Sequence, residues 1–477
     1  MHVVVLAAFV VAFVLAGRPV LDEMMPAGWP AVAATVFYLL GAIVLGWLAR
    51  QLTLRALDRR WQGGRGLSPW RGRWPAVLMI LSRCWLILGL AGVLAAGYGR
   101  WVMQDLRLGL LPLVGDLAAV APFVVALMGV WILDYPCHRR VRLLLGRQSG
   151  SDTPVPAWTL SQYLAYNIRH QLLFIVVPVG LIVLLTDALH LYGRSIMPQG
   201  LAGAYVLLGM GAAAAVGVFL IAPAIIVRVW QTRSLPDGPV RRGLQQMARR
   251  MGFGFRDIRL WLSGGVIANA AVMGLWGPLR YILISDALVD SMDQESIEAV
   301  FAHEAGHVIS HHLPYMAAFA ISTAVLCGAV GNLLAMAAPW AQWAGPTAWV
   351  ALLATAWAGG FGWISRRFER QSDVIAAWAG DYREDGRIEP ESAAVFARAL
   401  QQVAMLNGMP TTQRNWRHGS IAGRVGYLRR LVVVGGTRRE IDRVVRRIKI
   451  GLLCALACAA IILAVEVTVE MMEWTEL

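Results

Sequence analysis

Apolar residues along this chain gather in long unbroken runs, not in the alternation of a half-buried strand or the stripe of a surface helix. A hydrocarbon core of about 30 Å needs roughly 20 such residues in a helix. Nine stretches approach that length, near 3–17, 30–49, 76–98, 111–133, 171–189, 201–227, 314–336, 345–364 and 450–469. The first reads as an uncleaved anchor, because Met1-His2 lacks a basic leader and Arg18 and Pro19 follow without a small-residue cleavage site. Between the runs lie two larger polar blocks, roughly 229–312 and 366–448.

Within the first block, Pro236-Asp237-Gly238-Pro239 predicts a turn. A helix follows over Val240–Met251, with Leu244, Met247, Ala248 and Met251 on one face. Ile258–Leu262 and Tyr281–Ser285 are β-prone. Asp293 is placed to cap a helix whose first turn carries Gln294 and Glu295 and whose apolar positions are Ile297, Val300 and Phe301. The expected fold is an α-helical polytopic membrane protein of about nine transmembrane helices, with a small, mostly helical domain that carries a short β-sheet. Its expected divisions are an N-terminal membrane region 1–228, a domain at 229–448 interrupted by a transmembrane hairpin at 313–365, and a C-terminal helix with an acidic tail at 449–477.

Composition agrees with a membrane class: 58% of residues are hydrophobic and 15% charged, where soluble domains carry about a quarter charged. The net charge of +14 suits orientation by basic loops better than nucleic-acid binding, so the lipid bilayer is the expected partner and nucleic acid is not. The loops at 50–73, 139–169, 228–250, from 366 onward, and 429–449 are basic, while those at 18–29, 193–200 and 339–345 are not. Both polar blocks then face the cytoplasm, and so does the N-terminus. Cys84, Cys137, Cys327, Cys454 and Cys458 form no CxxC pair and read as small buried hydrophobes. A single lysine, Lys449, among 43 basic residues fits a GC-rich genome and a bacterial inner membrane.

Candidate chemistry lies on the helix that begins at Asp293. His303 and His307 stand at i and i+4, so their imidazoles share a face and can converge on one ion. Glu304 lies about 100° further round, beside rather than on such an ion, which is the place of a general base. Gly306 leaves the helix surface thin there, open to close approach by another element. A catalytic zinc keeps three protein ligands and an open position, so a third is needed. Leu313 occupies the position where a metzincin has its third histidine, and His311 and His312 read as interface histidines. Glu369 is the better candidate, with Asp373 one turn on as a carboxylate able to orient a ligand histidine. On residues alone, a zinc-binding sensor or transporter and an intramembrane protease remain alternatives, although the second would need the motif inside a spanning helix.

HEAGH, an apolar hairpin, and then Ser365-Arg366 with Glu369, Asp373, Ala376 and Ala377 together resemble the membrane gluzincins that include the CAAX prenyl endopeptidases and the HtpX-type quality-control proteases. The resemblance covers about 229–430. It implies a zinc metalloendopeptidase with one Zn2+ per chain held by His303, His307 and Glu369, and with Glu304 activating water. The expected substrate is a membrane-associated or unfolded polypeptide; prenyl-protein processing is a further possibility. Asn269 to Gly274 is similar to the family's edge strand for substrate, which implicates Asn269 and Ala270; Ala271 replaces the usual aromatic. Trp416-Arg417-His418-Gly419 with Arg424 resembles the family's His-Pro segment and site arginine. It implies His418 as an oxyanion donor and places Arg424 among the substrate-binding or site-ordering groups. Gly419 departs from proline.

Overall fold

A computed structural model describes residues 2–15, 28–62, 73–148, 156–193, 201–337, 344–379 and 386–475. Parts of the arginine-rich loop at 50–73 and of the connections 18–29, 193–200 and 339–345, on which the orientation rests, lie outside the described residues, as does the end of the first apolar segment. The chain divides into two compact units, Met1–Thr232 with Trp261–Val266, and Arg233–Leu260 with Ile267–Leu477.

In the first unit the helices are α1 (His2–Leu15), α2 (Trp29–Gln62), α3 (Arg73–Val93), α4 (Val114–Gln148), α5 (Leu160–Asn167), α6 (Leu173–Gly193) and α7 (Leu201–Val229). Close packing falls on Gly41 and Gly89, where a Cβ would meet Trp85 and Tyr38. Tyr38 donates to Leu86 O at 2.9 Å and Trp85 Nε1 to Tyr38 O at 2.9 Å, which satisfies two polar groups that lipid would leave unpaired. Trp261 stacks on His170 and lies 5.0 Å from Trp230, and Trp158 donates to Ser263 O at 2.8 Å. These contacts explain why the short segment 261–266 groups with the helices and not with the strand it follows.

The second unit contains β1 (Thr232–Ser234), α8 (Pro239–Arg250), β2 (Asp257–Trp261), β3 (Ala270–Met273), β4 (Tyr281–Ser285), α9 (Asp286–Ser291), α10 (Gln294–Ile309), α11 (His312–Ala337), α12 (Ala344–Thr355), α13 (Gly362–Ala379), α14 (Pro390–Leu406), α15 (Ile421–Val433) and α16 (Arg438–Thr475). The sheet order is β1-β2-β4-β3. Its central strand β4 is buried at all five positions. β3 pairs antiparallel with β4, Ala270 opposite Ile284 and Met273 opposite Tyr281, and among the described residues its other edge carries no strand. α8 buries Leu244, Met247 and Ala248. One core joins this sheet to Phe301 on α10, Phe368 on α13 and Phe396 on α14.

Among the described residues, seven helical stretches are long and apolar enough to cross a membrane: Trp29–Asp58, Trp74–Tyr98, Val114–Leu144, Leu160–Tyr192, Tyr205–Val229, His312–Ala337 and Arg438–Glu466. They match seven of the nine expected segments. The first expected segment is the 14-residue α1. The eighth is divided between α12, a π-helical turn at Ala356–Phe361 and the start of α13, so no single α-helix reaches spanning length there.

Candidate metal centre

Asp293 starts α10 as the sequence predicts, its Oδ1 accepting from Ser296 N at 2.8 Å and its Oδ2 from Ser296 Oγ at 2.9 Å. The helix lies outside the seven candidate spans, unlike the motif of an intramembrane protease. One turn of it carries His303, Glu304 and His307. Against it packs α13, and the contact is made where Gly306 has no side chain: a Cβ there would stand 3.2 Å from Ser372 Cα. That closeness brings Glu369, on the same helix as Ser372, up to the two histidines.

His303 Nε2 and His307 Nε2 are 3.4 Å apart. Glu369 Oε2 is 3.5 Å from the first and Glu369 Oε1 3.6 Å from the second. Ligands at about 2.0–2.1 Å from a tetrahedral zinc are separated by about 3.3–3.4 Å; the two histidine nitrogens stand at that spacing, and one ligand atom from each of the three residues lies within 4.8 Å of the others. Glu369 Oε2 is buried and has no hydrogen-bond partner among the described residues. Its charged neighbours His303 Nε2 and Arg424 Nη1 each stand 3.5 Å away, so it keeps a lone pair for an ion, and a donor set of two imidazoles and a carboxylate fits zinc.

The surroundings set the protonation of each group. Burial alone would lower His303, but hydrogen bonds to Asp373 and Glu369 lift it to about 9. Burial holds His307 down at about 3, so its ring is neutral and has a lone pair to give. Burial also pushes the Glu304 carboxyl up from its usual range, which makes it a stronger proton acceptor. Burial would raise Glu369 too, yet hydrogen bonds with His303 and His418 hold it well below the usual carboxylate range.

Asp373 Oδ1 is 3.1 Å from His303 Nδ1, and the carboxylate, which only accepts, fixes the proton on Nδ1 and leaves Nε2 for the ion. Arg424 clamps the same carboxylate with both prongs, Nε to Oδ2 at 3.0 Å and Nη2 to Oδ1 at 2.5 Å. Asp373 is therefore fixed from behind. Arg424, grouped with the substrate-binding residues on sequence, is largely buried, with Nε and Nη2 on Asp373 and Nη1 3.5 Å from Glu369 Oε2.

His418 Nδ1 donates to Glu369 Oε1 at 2.7 Å. Its Nε2 can donate to an oxyanion only when the ring carries both protons. The loop that presents it is closed by two backbone bonds between Asn415 and Gly419, and Gly419 has φ +76°. Proline is locked near −65°, so the glycine found in place of the family's proline is required by this turn. Trp416 pins the loop to the π-helical turn, donating to Ala358 O at 2.8 Å and stacking on Phe361.

Asn269 lies just before β3 and not within it. Its N–H goes to Ser285 Oγ and its C=O accepts from Ser285 N, both at 3.0 Å, so its main chain is used inside the sheet. By antiparallel alternation the residues whose N–H and C=O face the open edge are Ala270 and Val272.

His312, read as an interface histidine, is buried, with Nδ1 2.9 Å from His307 Nδ1. The sequence signal was hidden because His312 is five residues from His307, on another face of an uninterrupted helix. The chain breaks between α10 and α11, where His311 adopts φ +53°, and the turn brings the next residue back. Gln371 and Asp442, behind His312, had no motif to mark them.

Residues 234–412 match the family model described as Peptidase family M48. The chain carries a family M48 peptidase domain. Joined to seven apolar helices, the M48 domain makes the protein a membrane metallopeptidase, and zinc is the metal of that family. His303, Glu304, His307, Glu369 and Asp373 fall within the matched segment; His418 and Arg424 lie beyond it. Among solved structures, the crystal structure of S. mikatae Ste24p is similar over 84% of this chain and 99% of that one, with 16% identity and a TM-score of 0.48. No curated protein sequence matches the chain.

Proposed function

We propose that this protein is a zinc endopeptidase of the HExxH plus ExxxD type, which hydrolyses peptide bonds of membrane or unfolded proteins from the cytoplasmic side of a bacterial inner membrane. The observation that carries the reading is the cluster of His303, His307 and Glu369, whose ligand atoms lie within 4.8 Å of one another. Zinc held there supplies Lewis-acid activation of water and of the scissile carbonyl.

The remaining work falls to the chain's own groups. Glu304, lifted by burial, takes a proton from the attacking water and delivers it to the leaving amine. Asp373, held by Arg424, keeps His303 in the tautomer that presents Nε2. His418 positions Glu369 through Nδ1 and is the side chain placed to stabilise the developing oxyanion. An extended substrate adds to the free edge of β3, bonding Ala270 and Val272 through its main chain, a mode that reads backbone more than sequence.

The test is turnover of an unfolded or membrane polypeptide by purified full-length protein. Glu304→Gln is expected to cut kcat by about 10²- to 10⁴-fold while zinc content stays at the wild-type level. Cleavage by Glu304→Gln at the wild-type rate would remove the carboxylate from the mechanism.

A further inference from the structure

The two histidines on α10 are oriented by different means. His303 gives its Nδ1 proton directly to a carboxylate, Asp373. Among the described residues, the neighbour at the Nδ1 of His307 is not a carboxylate but another imidazole, His312. Two neutral imidazoles facing through Nδ1 leave the direction of the bond open, and the direction matters. If His307 accepted the proton at Nδ1, its own proton would sit on Nε2, where it would block the ion.

The next groups along decide it. Asp442, near the start of α16, accepts a hydrogen bond from Gln371 Nε2 at 2.5 Å. A carboxylate can only accept, so the amide nitrogen of Gln371 must face it and the amide oxygen must face away. That oxygen, Oε1, lies 2.8 Å from His312 Nε2; it can only accept, so His312 carries its proton on Nε2. The lone pair of His312 is then on Nδ1, His307 donates to it, and the lone pair of His307 is left on Nε2. Arg438, 3.2 Å from the other oxygen of Asp442, anchors the far end. His312 itself is held flat on Phe368, with ring centroids 4.2 Å apart and planes within 6°.

We propose that Asp442, Gln371 and His312 form a relay that fixes the tautomer of His307 and so sets the affinity of the zinc site. These are positioning residues: none of them touches the ion or the substrate. The inference rests on the zinc reading above, and it makes α16 part of the metal centre's support through a turn that precedes its apolar stretch.

The test is zinc affinity of the purified full-length protein by chelator competition, with the visible spectrum of the cobalt-substituted protein as a second readout of ligand geometry. His312→Phe keeps the stack on Phe368 and removes both nitrogens; the expected loss of zinc affinity is about 10- to 100-fold, with an altered cobalt spectrum. His312→Gln offers an amide oxygen to His307 and an amide N–H to Gln371, and is expected to stay within about threefold of wild type. Gln371→Met breaks the relay without touching a ligand, and should weaken zinc in the same direction; it carries the test if His312→Phe does not fold. Wild-type affinity in both His312→Phe and Gln371→Met, or equal losses in His312→Gln and His312→Phe, would overturn the relay while leaving the zinc site standing. A wild-type protein that binds no zinc would overturn the relay together with the reading beneath it.

Discussion

Asp373 shows how much a single buried charge can govern. It is fully buried, it accepts both prongs of Arg424, and it fixes His303. Removing it leaves a guanidinium buried without its partner, a change that costs about 3–5 kcal/mol. Asp373→Ala is therefore expected to lower the thermal midpoint by several degrees and to weaken zinc, measured by thermal unfolding and metal content on the same preparation. An unchanged midpoint would mean that Arg424 reaches solvent or another anion. At this scale the sequence was legible wherever a spacing within one helix decides the neighbours: His303 with His307, and Glu369 with Asp373, both at i and i+4. It was silent on what faces them across the fold. His418 and Arg424 were singled out by resemblance, yet their partners, Glu369 Oε1 and Asp373, follow from packing that no local pattern records.

Between elements, the decisive contact is α10 against α13. A Cβ at Gly306 would stand 3.2 to 3.3 Å from Ser372 Cα, Cβ and Oγ, so the two helices approach as closely as backbone permits. Sequence reading anticipated a close approach at this glycine without knowing the partner. Gly306→Val would push α13 outward and carry Glu369 away from the histidines, at a cost of about 1–3 kcal/mol for overpacking. The expected result is a lower thermal midpoint and a larger fractional loss of zinc affinity than of stability; a variant that binds zinc as well as wild type would show that α13 does not set the third ligand. The α10–α11 junction is a second such point. His311 takes a left-handed backbone that side-chain-bearing residues rarely adopt, and this break, invisible to helical periodicity, is what returns His312 to His307. The third is the length of α16. Hydropathy located its apolar stretch at 450–469, but the helix begins at Arg438, and the polar turns that hydropathy passes over contain Asp442.

Across the whole molecule, long apolar runs foretold seven spans, because the demand for backbone satisfaction in lipid makes spanning segments helical whatever else they do. The membrane helices were legible as helices, though not in how they pack. A Cβ built at Gly209, Gly211 or Gly217 on α7 would meet no other element among the described residues within 4 Å, whereas at Gly41 and Gly89 on α2 and α3 it would meet Trp85 and Tyr38. The segment Trp261–Val266 belongs with the first unit through aromatic contacts between residues far apart in sequence, which no local pattern marks. The metal site lies wholly within the second unit, assembled from α10, α13 and the loop before α15, and every candidate ligand is on an element that the M48 match includes.

The central claim is that this assembly hydrolyses peptide bonds by means of zinc. The most direct measurement is cleavage of an unfolded polypeptide by the purified full-length protein before chelation, after removal of zinc, and after return of one equivalent. Activity should vanish with the metal and come back with it in wild type, but not in Glu369→Ala, which lacks the third ligand. Undiminished cleavage by zinc-free protein, or full recovery in Glu369→Ala, would contradict the account.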